Sequence, residues 1–400
     1  MMYNRKIVFA AACTGMLLFG ICMITLGSVA SDLREKLQLN EMAFGALLSI
    51  LPLGFIAGSL IFGPVADKYG YRILLVISSL CLFAGFEGLA FTNSENLLRL
   101  FILLIGIGGG AINGATNALV SDISEKEKSA NISLLGVFYG LGALGMPLVL
   151  GLLKNTVNFE KIVASVGVIT FLSGICFLII KFPPPKQVHG VPFTRSLGLI
   201  RDKVILTIAL FLCFQSGFEA IINNWTTTYL TARHSIAQDS ALYALSSFVA
   251  GMVIMRLLMG SVFRAFSSSR LLIISFILLL TGLILLKTGL SFTISIAGLV
   301  LLGAGLSGGF PIMLGIVGNL YSEISGTAFS FIFFYCTDRK YPDKSAYGNG
   351  RTEIWCRTFD YFCSCRVNHN DVSGIFNRQT DKKYWINTLI NKFYVSNTMA

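Results

Sequence analysis

Gln215, Glu219 and Asn223 stand four residues apart in an otherwise apolar stretch, QSGFEAIINNWTTTYL from 215 to 230. On a helix that spacing places all three on one face, with Trp225 slightly further out. Two amides, a carboxylate and an indole form no catalytic set. They do form a binding stripe, in which the polar groups pair with solute hydroxyls and the ring takes an apolar face. The carboxylate of Glu219 is also a candidate carrier for a proton, because an ionisable group inside an apolar run is costly and is read by default as functional. Glu87 is the second candidate for that proton. Asn113 and Asn117, one turn apart, and Arg256 are further candidates for a solute cavity. Arg256 reads equally well as a counter-charge to Glu219 or as a basic anchor near the end of its span. No Ser-His-acid set, phosphate-binding glycine loop or nucleotide motif accompanies these residues, so neither an enzyme nor a cofactor is expected. His189 and His234 fall in polar connections, where solvated positions are the ordinary reading.

The elements that must position these residues are long and apolar. Of 400 residues, 54% are hydrophobic and 13% charged, against about 25% charged in an ordinary soluble domain. A bilayer core of about 30 Å needs about 20 residues of helix, and runs of that kind recur. Spans are predicted near 7–29, 42–65, 73–92, 97–121, 130–152, 161–182, 204–230, 240–263, 271–289 and 292–319, with an eleventh starting near 326. The fold class is therefore an all-α membrane protein with the bilayer as its partner, and a monomer is expected. Arg5 and Lys6 ahead of the first run invite comparison with a secretory leader, but the run is too long and further spans follow.

With the N-terminus taken as cytoplasmic, thirteen Lys and Arg fall on inner segments and seven on outer ones. That excess favours an N-in orientation, and it explains the net charge of +11 without nucleic acid as a partner. Cys13, Cys22, Cys81, Cys176 and Cys213 lie singly in apolar spans, where thiols behave as small hydrophobes. Cys363, Cys365 and His369 match no structural zinc spacing, so no metal is expected.

Sliding the chain on itself by 197 residues exposes a repeat. Gly20, Gly54, Gly63, Gly85, Gly106 and Gly108 fall on Gly217, Gly251, Gly260, Gly282, Gly303 and Gly305. Six of the fifteen glycines from Gly15 to Gly114 find a glycine, where random placement gives about one and a half. Six spans separate the matching positions, so the two halves share one orientation and form a parallel repeat about an axis along the membrane normal. The expected organisation is an N-terminal half over 1–182, a linker over 183–203 containing Pro183-Pro184-Pro185, and a second half over 204–335.

Between spans two and three, Gly63 to Arg72 reads GPVADKYGYR. This resembles the signature loop of the major facilitator superfamily, with Gly63, Asp67, Lys68, Gly70 and Arg72 matching and Tyr71 standing where a basic residue is commoner. The resemblance implies a secondary transporter of the cell's inner membrane, built from two six-helix halves, with a charged latch on the cytoplasmic side. Asp67 and Arg72 are expected to hold it, together with Asp122 at the end of span four. It also implies that span three lies outermost, which ranks Glu87 below Glu219. The matching loop of the second half keeps Gly260, Arg264 and Arg270 but no aspartate, so the latch reads as one-sided. Span four, GIGGGAINGATNALVSDI, and span seven are similar to the fucose–proton symporter branch, which implies a small polar solute, a sugar, moved with a proton. Span five, GLGALGMPLVLGLL, is similar to the glycine-proline motif of drug–proton antiporters, interrupted by Met146, and keeps efflux of a drug or metabolite as the alternative.

The C-terminus breaks the pattern. GTAFSFIFF from 326 to 334 begins an eleventh span, but CTDRKYPDK follows at a position equivalent to mid-span five, too polar for lipid. Residues 336–400 are expected to be the product of a frameshift near codon 334 or 335, leaving spans 11 and 12 interrupted or missing and the product a non-functional truncated copy if the shift is genuine.

Overall fold

The computed structural model describes residues 3–338 apart from 126, 154–155, 187–198, 200–201, 235–237 and 289–290. The tail that the frameshift reading concerns, with Cys363, Cys365 and His369, lies outside the described residues, as does most of the linker. Every regular element among the described residues is helical, and ten stretches are long and apolar enough to cross a bilayer.

The first half comprises α1 (Arg5–Ser28), α2 (Ala30–Leu37), α3 (Glu41–Tyr69), α4 (Tyr71–Phe91), α5 (Glu95–Ile123), α6 (Lys128–Leu153) and α7 (Phe159–Ile179). The second comprises α8 (Lys203–His234), α9 (Gln238–Gly260), α10 (Ser268–Thr288), α11 (Phe292–Ser307), α12 (Gly309–Leu320) and α13 (Ser325–Asp338). Polar residues set the starts. The Asn4 side chain accepts from the Lys6 N–H, Asn40 from Ala43 and Ser291 from Ile294, each pairing a backbone donor that the first turn leaves free. Gly70 joins α3 to α4 at a φ of 86°, a backbone region open to glycine without steric cost, and its N–H closes the last turn of α3 on the Ala66 carbonyl.

Two elements depart from the predicted spans. The short helix α2 follows span one, with Leu33 buried and charged residues at Asp32, Arg34, Glu35 and Lys36; it carries too much charge to register as a span. The tenth span is divided at Gly308 into α11 and α12. Pro311 has no N–H for the Ser307 carbonyl, and its ring crowds that carbonyl, which loosens the helix at this point.

The repeat seen in the glycines is a repeat of helix crossings. A Cβ on Gly54 would collide with the Leu103 carbonyl and one on Gly251 with the Val300 carbonyl; Gly106 lies against the Leu51 carbonyl and Gly303 against that of Phe248. Leu103 and Val300, like Leu51 and Phe248, are themselves 197 residues apart. Only glycine lets these backbones meet, and close backbone approach is what holds helices together in lipid. The halves meet mainly through α3 against α13 and through α6 against α9 and α12.

Candidate functional site

A cavity of about 240 Å³ lies between the halves. Gln215 and Glu219 of α8, Asn113 and Asn117 of α5 and Arg256 of α9 line it, among Phe19, Phe55, Tyr139, Phe310 and Phe333. Three pairs of lining residues stand 197 residues apart: Phe19 with Ser216, Asn113 with Phe310, and Gly136 with Phe333. The repeat axis therefore runs through the cavity. Each pair sets an aromatic ring against a polar or minimal residue, so the two walls differ in chemistry although they match in register.

The polar groups are partly spent on the protein. Gln215 Nε2 donates to the Leu306 carbonyl at 2.7 Å. Asn117 Nδ2 donates to the carbonyl of Asn113 at 2.8 Å and to its side-chain oxygen at 3.2 Å, while Asn117 Oδ1 is buried without a partner. Arg256 donates one N–H to the Gly136 carbonyl at 3.1 Å across the interface of the halves, and its own carbonyl accepts from Ser133 Oγ at 3.0 Å. Arg256 and Glu219 share the cavity but form no ion pair among the described residues. Counting along their helices, Arg256 lies about 6 Å from the linker end of α9 and Glu219 about 24 Å from the linker end of α8, so the two charges sit at different depths.

Several expected site residues lie elsewhere. Asn223 is exposed and bonds back to the Glu219 carbonyl at 3.0 Å. Two steps of four residues turn a helix by about 80° and advance it by about 12 Å, which carries Asn223 off the face that Gln215 presents. The Trp225 side chain lies outside the described residues. Glu87 does not reach the cavity; its carboxylate packs against Gly167 of α7, with Oε1 buried and unpartnered.

On the linker side, polar contacts close the halves against each other. Asp67 is buried and accepts from Thr327 through both the backbone N–H, at 2.9 Å, and the hydroxyl, at 2.6 Å. Gly63 lets α13 approach at Gly326 and Thr327. Asp122 accepts from Tyr71 at 2.5 Å, from Ser325 at 2.7 Å and from Lys186 at 2.6 Å, and Lys186 also reaches the Ser322 carbonyl and the Ser325 hydroxyl. The arrangement corrects two expectations. Arg72 is exposed and takes no part in the ion pairs found among the described residues, and Lys68 is exposed, with its ammonium over the Tyr69 ring. Tyr71, read only as a departure from the loop pattern, and Lys186 are the residues that local sequence did not flag.

The closure is not one-sided either. Arg264, which stands 197 residues on from Asp67, pairs with Glu127 and donates to Asn131 at 3.0 Å. Lys128 at the start of α6 donates to the Gly318 carbonyl of α12 at 2.7 Å, and its counterpart Ser325 at the start of α13 donates to Asp122 of α5. The same corner contact is thus made twice, with its charge reversed.

Two helical halves in parallel repeat, closed on one side around a shared polar cavity, define a membrane carrier with a central site. The model described as Major Facilitator Superfamily matches residues 11–337, and the chain belongs to that superfamily. Among curated relatives it is 22% identical over 265 residues to the inner membrane transport protein YdiN of Escherichia coli (strain K12), covering 63% of this chain and 61% of YdiN. It is 24% identical over 186 residues to the multi-drug resistance efflux pump PmrA of Streptococcus pneumoniae, covering 45% of this chain and 47% of PmrA. The chain thus spans about half to three fifths of the length of these relatives. A solved structure of the E. coli fucose:proton symporter FucP superposes with a TM-score of 0.68 over 84% of this chain and 90% of that one, at 16% identity, a likeness of fold.

Proposed function

We propose that the chain is a secondary transporter that moves a small polar solute, of the sugar kind, together with a proton by alternating access. It works in the cell's inner membrane with its N-terminus in the cytoplasm. The observation that carries this reading is Glu219, a carboxylate that lines the cavity and has no hydrogen-bond partner among the described residues. An ionisable group inside a membrane span is read by default as functional, and this reading gives Glu219 the coupling proton. With the linker side closed, cavity and carboxylate load from the outer face. Rearrangement of the halves then parts the contacts of Asp67, Asp122 and Arg264, which act as the cytoplasmic latch, and releases solute and proton inside.

The size of the cavity supports a small solute. About 240 Å³ is below the roughly 300–1,000 Å³ of sites that enclose drug-sized ligands. Efflux of a lipophile is the second reading, favoured by the lining of Met16, Met23 and phenylalanine rings, since methionine and aromatic surfaces adapt to varied apolar ligands, and by the likeness to PmrA.

Glu219→Gln decides between coupled and uncoupled carriage. In vesicles holding the full chain, the variant is expected to lose accumulation driven by a proton gradient while keeping exchange of labelled solute at equal concentrations. A variant that still concentrates solute against a gradient removes Glu219 from the role.

A further inference from the structure

We propose that the transported solute carries a carboxylate, and that Arg256 is the residue that reads it, making the preferred substrate a sugar acid or similar hydroxylated acid rather than a neutral sugar. The inference rests on the transport reading above and deepens it.

A guanidinium has five N–H donors in a planar fork. Of these, Arg256 spends one on the Gly136 carbonyl, and no carboxylate lies within ion-pair distance among the described residues. A cation inside a membrane protein ordinarily pairs with a partner of its own chain, yet Glu219, in the same cavity, is not that partner. The fork matches a carboxylate in a two-bond arrangement, which an ammonium cannot reproduce. Gly136 serves the placement directly: a Cβ there would sit 3.0 Å from both Cδ and the terminal nitrogen of Arg256, so the guanidinium lies flat against a residue without a side chain.

The remaining groups favour hydroxyls on the same solute. Gln215 and Asn113 bring amides to the same cavity as Arg256, and an amide pairs with a hydroxyl as donor or acceptor. The phenylalanine rings at 19 and 310 offer faces to the carbon skeleton.

Glu219 and Arg256 line the same cavity at different depths, so a solute held by its carboxylate at Arg256 leaves Glu219 to the coupling proton of the proposed function. The titratable side chains sharing the cavity with Glu219 are Arg256 of α9 and Tyr139 of α6. α12 carries none, and neither do residues 325–334 of α13.

The test uses the full chain in vesicles, with labelled gluconate, glucuronate, glucose and fucose at matched concentrations under an inward proton gradient. Accumulation of the two acids at least tenfold above the two neutral sugars is expected. Arg256→Gln should weaken acid uptake at least tenfold, and Arg256→Lys should restore part of it. Competition among the four solutes on the unaltered chain needs no variant and covers the case in which a substitution fails to insert. Neutral sugars carried as well as the acids, with Arg256→Gln unchanged, overturn the carboxylate inference and leave the transport reading standing. Proton-driven accumulation of none of the four overturns the carboxylate inference for this solute class. If the unaltered chain is inert towards every solute tried, including equal-concentration exchange, the transport reading falls with it.

Discussion

A buried aspartate that accepts two hydrogen bonds from one threonine is the most specific contact on the linker side. Asp67 holds the N–H and the hydroxyl of Thr327, and hydrogen bonds to a charged group contribute about 1.5–3 kcal/mol each. In Asp67→Asn the amide oxygen can keep both bonds from Thr327, which fall on one carboxylate oxygen, but the charge that strengthens them is removed. The closed state should then lose about 1–3 kcal/mol relative to the opened one, a shift of about 5- to 150-fold. The expected outcome is slower cycling at nearly unchanged solute affinity, with a cysteine in the cavity more open to a reagent applied from the cytoplasmic side; wild-type turnover and labelling would remove Asp67 from the latch. Asp67 was visible in sequence because its loop resembles a known one. Tyr71 and Lys186 were not, because their value lies in reaching Asp122 from residues 51 and 64 positions away, and local spacing carries no record of such a meeting. Gln215 and Glu219 were legible as one helical turn, whereas Asn223 shows how four-residue spacing drifts off a face after a second step.

At the scale of elements, hydropathy located ten spans because lipid tolerates little else, and it missed the two features that composition averages away. Helix α2 is short and charged on its outer side, and the break at Gly308 lies within a run as apolar as its neighbours. The second half of the closure was missed for another reason: an aspartate was sought where the register holds Arg264. Searching that register for a charge of either sign would have found it. Its pairing with Glu127 joins the α9–α10 connection to the start of α6. Partly exposed pairs of this kind contribute about 0.2–1 kcal/mol. Glu127→Arg or Arg264→Glu alone should therefore slow or bias cycling modestly, and the double reversal should recover most of the loss, measured as initial uptake rate. Recovery absent in the double variant would show that each residue acts through other contacts.

Across the whole molecule, the proposed function sets the linker in the cytoplasm, an assignment that rests on the basic asymmetry of the connections, thirteen against seven. A cysteine introduced at Gln187 should resist an impermeant thiol reagent added to intact cells and react in inverted vesicles; labelling from outside reverses the orientation and with it the sense of the latch. The family match ends at residue 337, close to the point where composition changes in the sequence.

The break between α11 and α12 has no twin. Gly114, the counterpart of Pro311, sits inside α5, which runs unbroken from Glu95 to Ile123. One arm of the pair is a single rod and the other has an elbow, set where Phe310 and Pro311 line the cavity. A rod can only tilt as one piece, whereas an elbow can flex its lower segment while the upper one stays seated. The two arms, alike in length and register, are therefore unequal as machines: a small bend on one side can shift a wall of the cavity before either half has swung.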